Sequence, residues 1–410
     1  MGYTKNAIKG ISWMSAARFV SRALAFFKIA VLARILNPAQ FGLFGIASLL
    51  LSLLETLTET GINVVLIQSK KDLHEYINAA WVVSIIRGIT IAVFIVILAP
   101  LISFFFRAPE SFWIILFISL VPLVRGFINP SEIKFQKDLN FHLQFWFQSG
   151  LFIVDALVSI IVVLLTSSVY SLVWGMLISA ILEVILSIAF IKPRPRFAIE
   201  KGYFKEIFHK GIWVTGYTIF NYFSENLDNV IVGRLMGTES LGFYQMAYKI
   251  SILPLTEISD VISSVAFPVF AKISNDSKRL KKGFFKTLVL VFFGAAFLGM
   301  IIFFFPVEII SILLGKQWLS IIPVLKVLII YGVLRTISGP GSALLLSLNK
   351  QKFVSSMIFL RFLTLATFIY PFVISFRLVG AGYAQLLSVI VETPLLLYFI
   401  MNCFKKNSEK

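Results

Sequence analysis

The chain has 410 residues, 58% of them hydrophobic and 14% charged, and a mean hydropathy of +0.91. That balance excludes a water-soluble globular protein of this size, because apolar runs of roughly 20 residues, the length that crosses a hydrocarbon layer, recur from end to end. The formal net charge of +17 would suggest nucleic acid in a soluble protein. Here the cations collect in short loops, so they report membrane topology, and no nucleic-acid partner is expected.

Lipid offers the backbone no hydrogen-bond partner, so the runs must be helices; a barrel would alternate apolar and polar residues, and these runs are continuous. In chain order, about twelve spans are expected, near 11–33, 40–66, 77–101, 111–129, 143–166, 170–191, 211–233, 240–270, 285–306, 320–346, 353–376 and 380–403. The first carries Arg18, Arg22 and Lys28, and the second Glu55 and Glu59. The third to sixth carry Arg87, Arg125, Asp155 and Glu183. A loop at 192–210 follows, whose 197–208 stretch has apolar residues at helical spacing opposite Lys201 and Lys205; it reads as an interfacial helix against anionic lipid. The seventh span holds SENLDN with Glu225 and Asp228, and the eighth Glu257 and Asp260. The tenth contains Lys326, Arg335 and the helix-breaking SGPG at 338–341, the eleventh Arg361 and the twelfth Glu392. Trp13, Trp81, Trp113, Trp213 and Trp318 fall near span starts, where interfacial aromatics belong.

The loop charges alternate. One set holds Lys5, Lys9, Lys70, Lys71, Lys134, Lys137, the cations of 192–210, those of 272–286, Lys350, Lys352, Lys405 and Lys406. The intervening loops hold only Arg34, Arg107, Arg234, Lys316 and Arg377. The basic set is therefore expected inside, with both termini cytoplasmic and the protein a multi-pass membrane component. Cys403 is the only cysteine and His74, His142 and His209 fall in loops without ligand spacing, so neither a disulfide nor a metal site is expected. No cleavable signal peptide is read at the start, since the first apolar segment is too long and is interrupted by arginines.

A shift of 200 residues superposes the halves without a gap. Trp13 meets Trp213, and Arg34, Gly42 and Ala47 meet Arg234, Gly242 and Ala247. With an even number of spans per half, the repeats enter from the same side and are parallel. The expected organisation is an N-terminal lobe at 1–191, a cytoplasmic linker at 192–210, a C-terminal lobe at 211–403 and a tail at 404–410. Such pairs build transporters.

The segments KGISWMSAARFV, LARILNPAQFGLFGIA, KFQKDLNF, HKGIWVTGYTIFNYFSENLDNVIVGRLMG and SVAFPVFAKISND together resemble the polysaccharide transporter family, with its Wzx-like O-antigen, capsule and exopolysaccharide flippases. That family belongs to the MOP superfamily, with the MATE exporters and lipid II flippases, and the likeness covers nearly the whole chain. It implies an all-α membrane fold of two six-helix lobes forming a V around a central cavity. It also implies that a polyprenyl-diphosphate-linked oligosaccharide, of the undecaprenyl type, is moved from the cytoplasmic to the outer leaflet by alternating access. Membrane lipids, a polysaccharide polymerase and chain-length proteins are the partners that follow. A MATE-like ion-coupled drug or metabolite exporter is the alternative, and it predicts one acidic, aromatic-rich pocket rather than arginines in the first span.

Ionisable groups inside spans face a cavity or a partner. As a cationic lumen, Arg18, Arg22, Arg87, Arg335 and Arg361 would contact diphosphate and glycan, because guanidinium grips phosphate oxygens in a bidentate way. As structural pairs, Arg18 would instead meet Glu55 or Glu59. Lys28 and Asp228 coincide under the repeat shift, so a gate is expected in which they pair across the lobes, with Glu225, Glu55 and Glu59 in gating or coupling. The equally open reading pairs Glu225 and Asp228 inside their own lobe. External loops are short and no carboxylate cluster suits hydrolysis, so no catalytic residue and no enzyme is expected. No GxxxxGK[ST] loop occurs; no cofactor is expected, and the energy source would be a proton or sodium gradient.

Overall fold

The computed structural model describes residues 20–58, 73–138, 140–197 and 201–408, with backbone alone at 73–76, 201–220 and 406–408. Among the described residues it is helical, without a strand. The helices are α1 (20–35), α2 (Pro38–Leu57), α3 (Leu73–Phe105), α4 (Ser111–Ile118), α5 (Leu120–Arg125), α6 (Lys134–Lys137), α7 (Phe141–Thr166) and α8 (Tyr170–Phe190). They continue as α9 (Lys201–Ser251), α10 (Leu253–Lys272), α11 (Ser277–Phe304), α12 (Pro306–Leu313), α13 (Ile322–Arg335), α14 (Ser338–Ser347) and α15 (Gln351–Ser408). Eight described helices are long and apolar enough to cross a membrane, or nine if the 70° bent pair Ser111–Arg125 and Pro130–Lys137 is one span. One of the eight, Gln351–Lys405, is 55 residues long. At 1.5 Å per residue that is far more than a bilayer needs, and it breaks at Arg377 (φ 54°), where the sequence places the turn between its last two spans. α9 breaks likewise at Gly237 (φ 84°), a left-handed conformation that glycine alone adopts without strain.

The chain divides into two compact units, Met1–Tyr222 and Phe223–Lys410, the division falling within α9. In the first unit, Asn37 starts α2 with a reciprocal capping box: its side chain accepts from Gln40 N, and Gln40 Oε1 accepts from Asn37 N, both at 2.9 Å. Gln40 Nε2 also donates to Ser167 O at 3.1 Å, tying this turn to the end of α7. α7 and α8 pack through small residues. Ser171, Gly175 and Ser179 recur at four-residue spacing on α8, with Ser187 two steps further on; all four are buried, and Ser179 Oγ donates across to Leu151 O at 3.0 Å. In the second unit, Phe270, Phe284, Leu344, Met357, Leu396 and Cys403 form one buried cluster joining α10, α11, α14 and α15.

The outer surface is apolar: Phe104, Leu165 and Phe190 are 82%, 80% and 78% exposed, which suits lipid and not water. Trp113 and Trp146 share that surface, whereas Trp318 does not. Expected at an interface, Trp318 is fully buried and packs edge-on to Phe243, with ring centroids 5.8 Å apart. The reason is local: Lys316–Ile321 is a 3-10 turn folded under α13, so the ring turns inward. His142 also departs from its expected loop. It lies in the first turn of α7 and accepts from Trp146 Nε1 at 3.1 Å.

Candidate transport site

Each unit buries its own set of charges. In the first, Lys28 on α1 reaches Asp155 on α7, Nζ to Oδ2 at 2.6 Å, with the side chains only 13% and 15% exposed. Gly175 on α8 lets this happen: a Cβ there would stand 2.6 Å from both the Asp155 carbonyl oxygen and its Oδ1. Arg87 on α3 closes the end of α2. Its Nη2 donates to Glu55 O at 2.8 Å and its Nε to Thr58 Oγ1 at 3.2 Å, giving a last-turn carbonyl and the hydroxyl beside it a cationic donor.

In the second unit Asp228 is fully buried. Its Oδ2 accepts from Tyr244 OH and Gln385 Nε2, each at 2.7 Å, and its Oδ1 from Asn229 N at 2.8 Å and Asn229 Nδ2 at 3.2 Å. Arg361 on α15, 3% exposed, stands 3.7 Å from Glu392, whose other oxygen accepts from Ser338 Oγ at 3.1 Å. Beside this network opens a cavity of about 710 Å³, within the second unit. Glu225, Asp260 and Arg335 line it with Tyr248, Ser263 and Ser338. Gly339 lines it too, and a Cβ there would clash with the Ser259 hydroxyl. α13 ends at Arg335 and α14 begins at Ser338, so the interruption falls at Thr336 and Ile337, ahead of the expected SGPG, which is itself helical; Arg335 and Ser338, on either side of it, line this space.

The expected site residues therefore separate. Arg335 and Glu225 share a cavity. Arg22 is exposed, Arg87 caps a helix, and Arg361 is interior, held by Glu392 and not presented to an open space. Arg18 and Glu59 lie outside the described residues, and the Glu55 carbonyl serves Arg87. Lys28 and Asp228, expected to pair across the lobes, each have partners inside their own unit. A repeat shift fixes depth but not the rotation of a side chain about its helix. Gln385 and Tyr244 were not foreseen. A legible signal existed for the first, since Gln385, Ser388 and Glu392 form a polar stripe at i, i+3 and i+7 in the last span, all buried. No group of three or more His, Cys, Asp or Glu able to hold a metal occurs among the described residues.

Comparison with known proteins gives the context. The family model described as "Polysaccharide biosynthesis protein" matches residues 31–323, more than half of the chain. The Lipopolysaccharide biosynthesis protein WzxC of Escherichia coli K12 is 28% identical over 98% of this chain and 82% of its own length. The Teichuronic acid biosynthesis protein TuaB of Bacillus subtilis 168 is 25% identical over 84% of this chain and 72% of its own. Among solved structures, the lipid II flippase MurJ in an inward closed conformation superposes with a TM-score of 0.76 at 18% identity, covering 96% of this chain and 89% of that one; this likeness shows the MOP-type fold.

Proposed function

Because the chain belongs to the polysaccharide biosynthesis protein family, we propose that it is a flippase carrying a lipid-linked oligosaccharide across the membrane by alternating access, for cell-surface polysaccharide synthesis. The observation that carries this reading is the family match over 31–323, reinforced by a relative named for lipopolysaccharide biosynthesis that aligns over 98% of the chain. The protein is a multi-pass membrane protein and a transporter in kind, not an enzyme. In the finer reading its carrier is a polyprenyl diphosphate of the undecaprenyl type, taken from the cytoplasmic leaflet by Arg18 and Arg22, with both termini inside. Polymerase and chain-length proteins receive the product, and a proton or sodium gradient supplies the energy. The exporter alternative called for one acidic, aromatic-rich pocket in place of arginines in the first span; the second unit's cavity is mixed, with Arg335 beside Glu225 and Asp260, so it is the family match that favours the flippase.

Deleting the gene in its host tests the reading. Lipid-linked oligosaccharide should accumulate on the cytoplasmic leaflet while surface polysaccharide disappears, and a plasmid copy should restore export. Unchanged surface polysaccharide in the deletion strain would refute it.

A further inference from the structure

A second cavity, of about 800 Å³, lies in the first unit, away from the buried charges described above. Asn78, Lys134, Lys192, Arg194 and Arg196 line it over a floor that includes the buried Ile77, and among the described residues no acidic side chain does. We propose that this cavity is a binding site for the phosphate of an anionic membrane phospholipid.

The cations are held in place by the fold. The 191–197 segment carries Pro193 and Pro195, whose fixed φ stiffens it. Asn129, fully buried, donates from Nδ2 to Ser187 O, Ile191 O and Pro193 O at 3.2, 3.0 and 3.2 Å. Ser131 Oγ donates to Pro193 O at 2.6 Å, and Arg196 N donates to Asn78 Oδ1 at 2.7 Å. Trp81 packs on Phe197 with ring centroids 4.7 Å apart. Arg194 donates to Ile188 O at 2.9 Å and Ala189 O at 3.0 Å, covering carbonyls at the end of α8 that would otherwise repel an anion. Lys134, Lys192 and Arg196 are then the side chains that reach a phosphate.

Location selects a lipid over a soluble anion. Phe190 and Phe197, exposed by 78% and 72%, flank in the chain the 192–196 stretch that lines the cavity, so acyl chains would meet apolar surface close to where the headgroup meets charge. Basic pockets at helix ends recognise anionic headgroups in this way. A zwitterionic headgroup would bring its own ammonium into the same positive field.

The test uses the purified full-length chain in detergent, with binding measured by native mass spectrometry and melting temperature. Phosphatidylglycerol should bind and raise the melting temperature, and phosphatidylcholine should do neither. The variant Lys134→Gln/Lys192→Gln/Arg196→Gln should lose about fivefold in phosphatidylglycerol affinity per cation removed, from the typical worth of one basic side chain near an anionic surface. Lys192→Gln alone, an exposed change that leaves the fold intact, should lose one such factor, and Lys278→Gln/Lys281→Gln/Lys282→Gln should lose none. Unchanged phosphatidylglycerol affinity in the first two variants would overturn the proposal, as would equal losses in the third. Equal stabilisation by inorganic phosphate would overturn the lipid as the source of the anion.

Discussion

Buried charge is where this protein depends most on single side chains. Lys28 and Asp155 are each less than one-sixth exposed and 2.6 Å apart, so deleting one strands the other. Lys28→Met should cost about 3 kcal/mol and lower the melting temperature in detergent. Adding Asp155→Leu should recover most of that loss, and adding Asp228→Asn should recover none. Equal rescue by the two second changes would return Asp228 as the partner. Two arginines separate in the same way. Arg361→Met removes the cation that stands 3.7 Å from the buried Glu392, so folded yield should fall. Arg335→Gln faces an open cavity, so the protein should accumulate normally in the membrane and fail in export. Normal export by Arg335→Gln would remove that cavity from the transport path.

The residue types at these sites were legible in the sequence: every buried ion named here is an ionisable group inside a predicted span. Their partners were not. Helical spacing places Arg18 and Arg22, or Gln385 and Glu392, on one face, but it cannot say which neighbouring helix that face meets. Lys28 met the carboxylate of α7 because glycine at 175 lets α8 come close there.

Helix packing supplies a pair of opposed tests. A methyl at Gly175 would press on the Asp155 carbonyl, at 2.6 Å, whereas Gly150 on α7 has nothing within 4 Å of the same position. Gly175→Ala should therefore lower the melting temperature and loosen the Lys28–Asp155 pair. Gly150→Ala should hold or raise it, since alanine favours a helix by about 1 kcal/mol over glycine. A stable Gly175→Ala protein would mean that α7 and α8 can separate at little cost. The breaks at Gly237 and Arg377 fall in the short loops that charge alternation placed between spans, so that part of the element order followed from composition alone. The bend between Ser111–Arg125 and Pro130–Lys137 did not, because the GFIN turn before Pro130 does not fix the angle at which the chain leaves it.

Across the whole molecule, the all-helical membrane class and the family followed from hydropathy, loop charge and a handful of segments. Orientation rests on loop charge, and reporter fusions after Lys71 and after Arg107 check it: the first should be cytoplasmic and the second external. The same location for both would overturn the proposed topology. Substrate identity is written least clearly of all, because a cavity such as the one holding Glu225 and Arg335 is assembled from side chains scattered over α9, α10, α13 and α14.

The central claim is that this chain moves a lipid-linked oligosaccharide between leaflets. Reconstituting the purified protein in liposomes with a labelled polyprenyl-diphosphate oligosaccharide, and following its exposure to a membrane-impermeant glycosidase, measures that movement directly. Protein-containing vesicles should expose the inner-leaflet pool far faster than empty vesicles, and Arg335→Gln should abolish the difference. Exposure at the same rate with and without protein, under both proton and sodium gradients, would contradict the account.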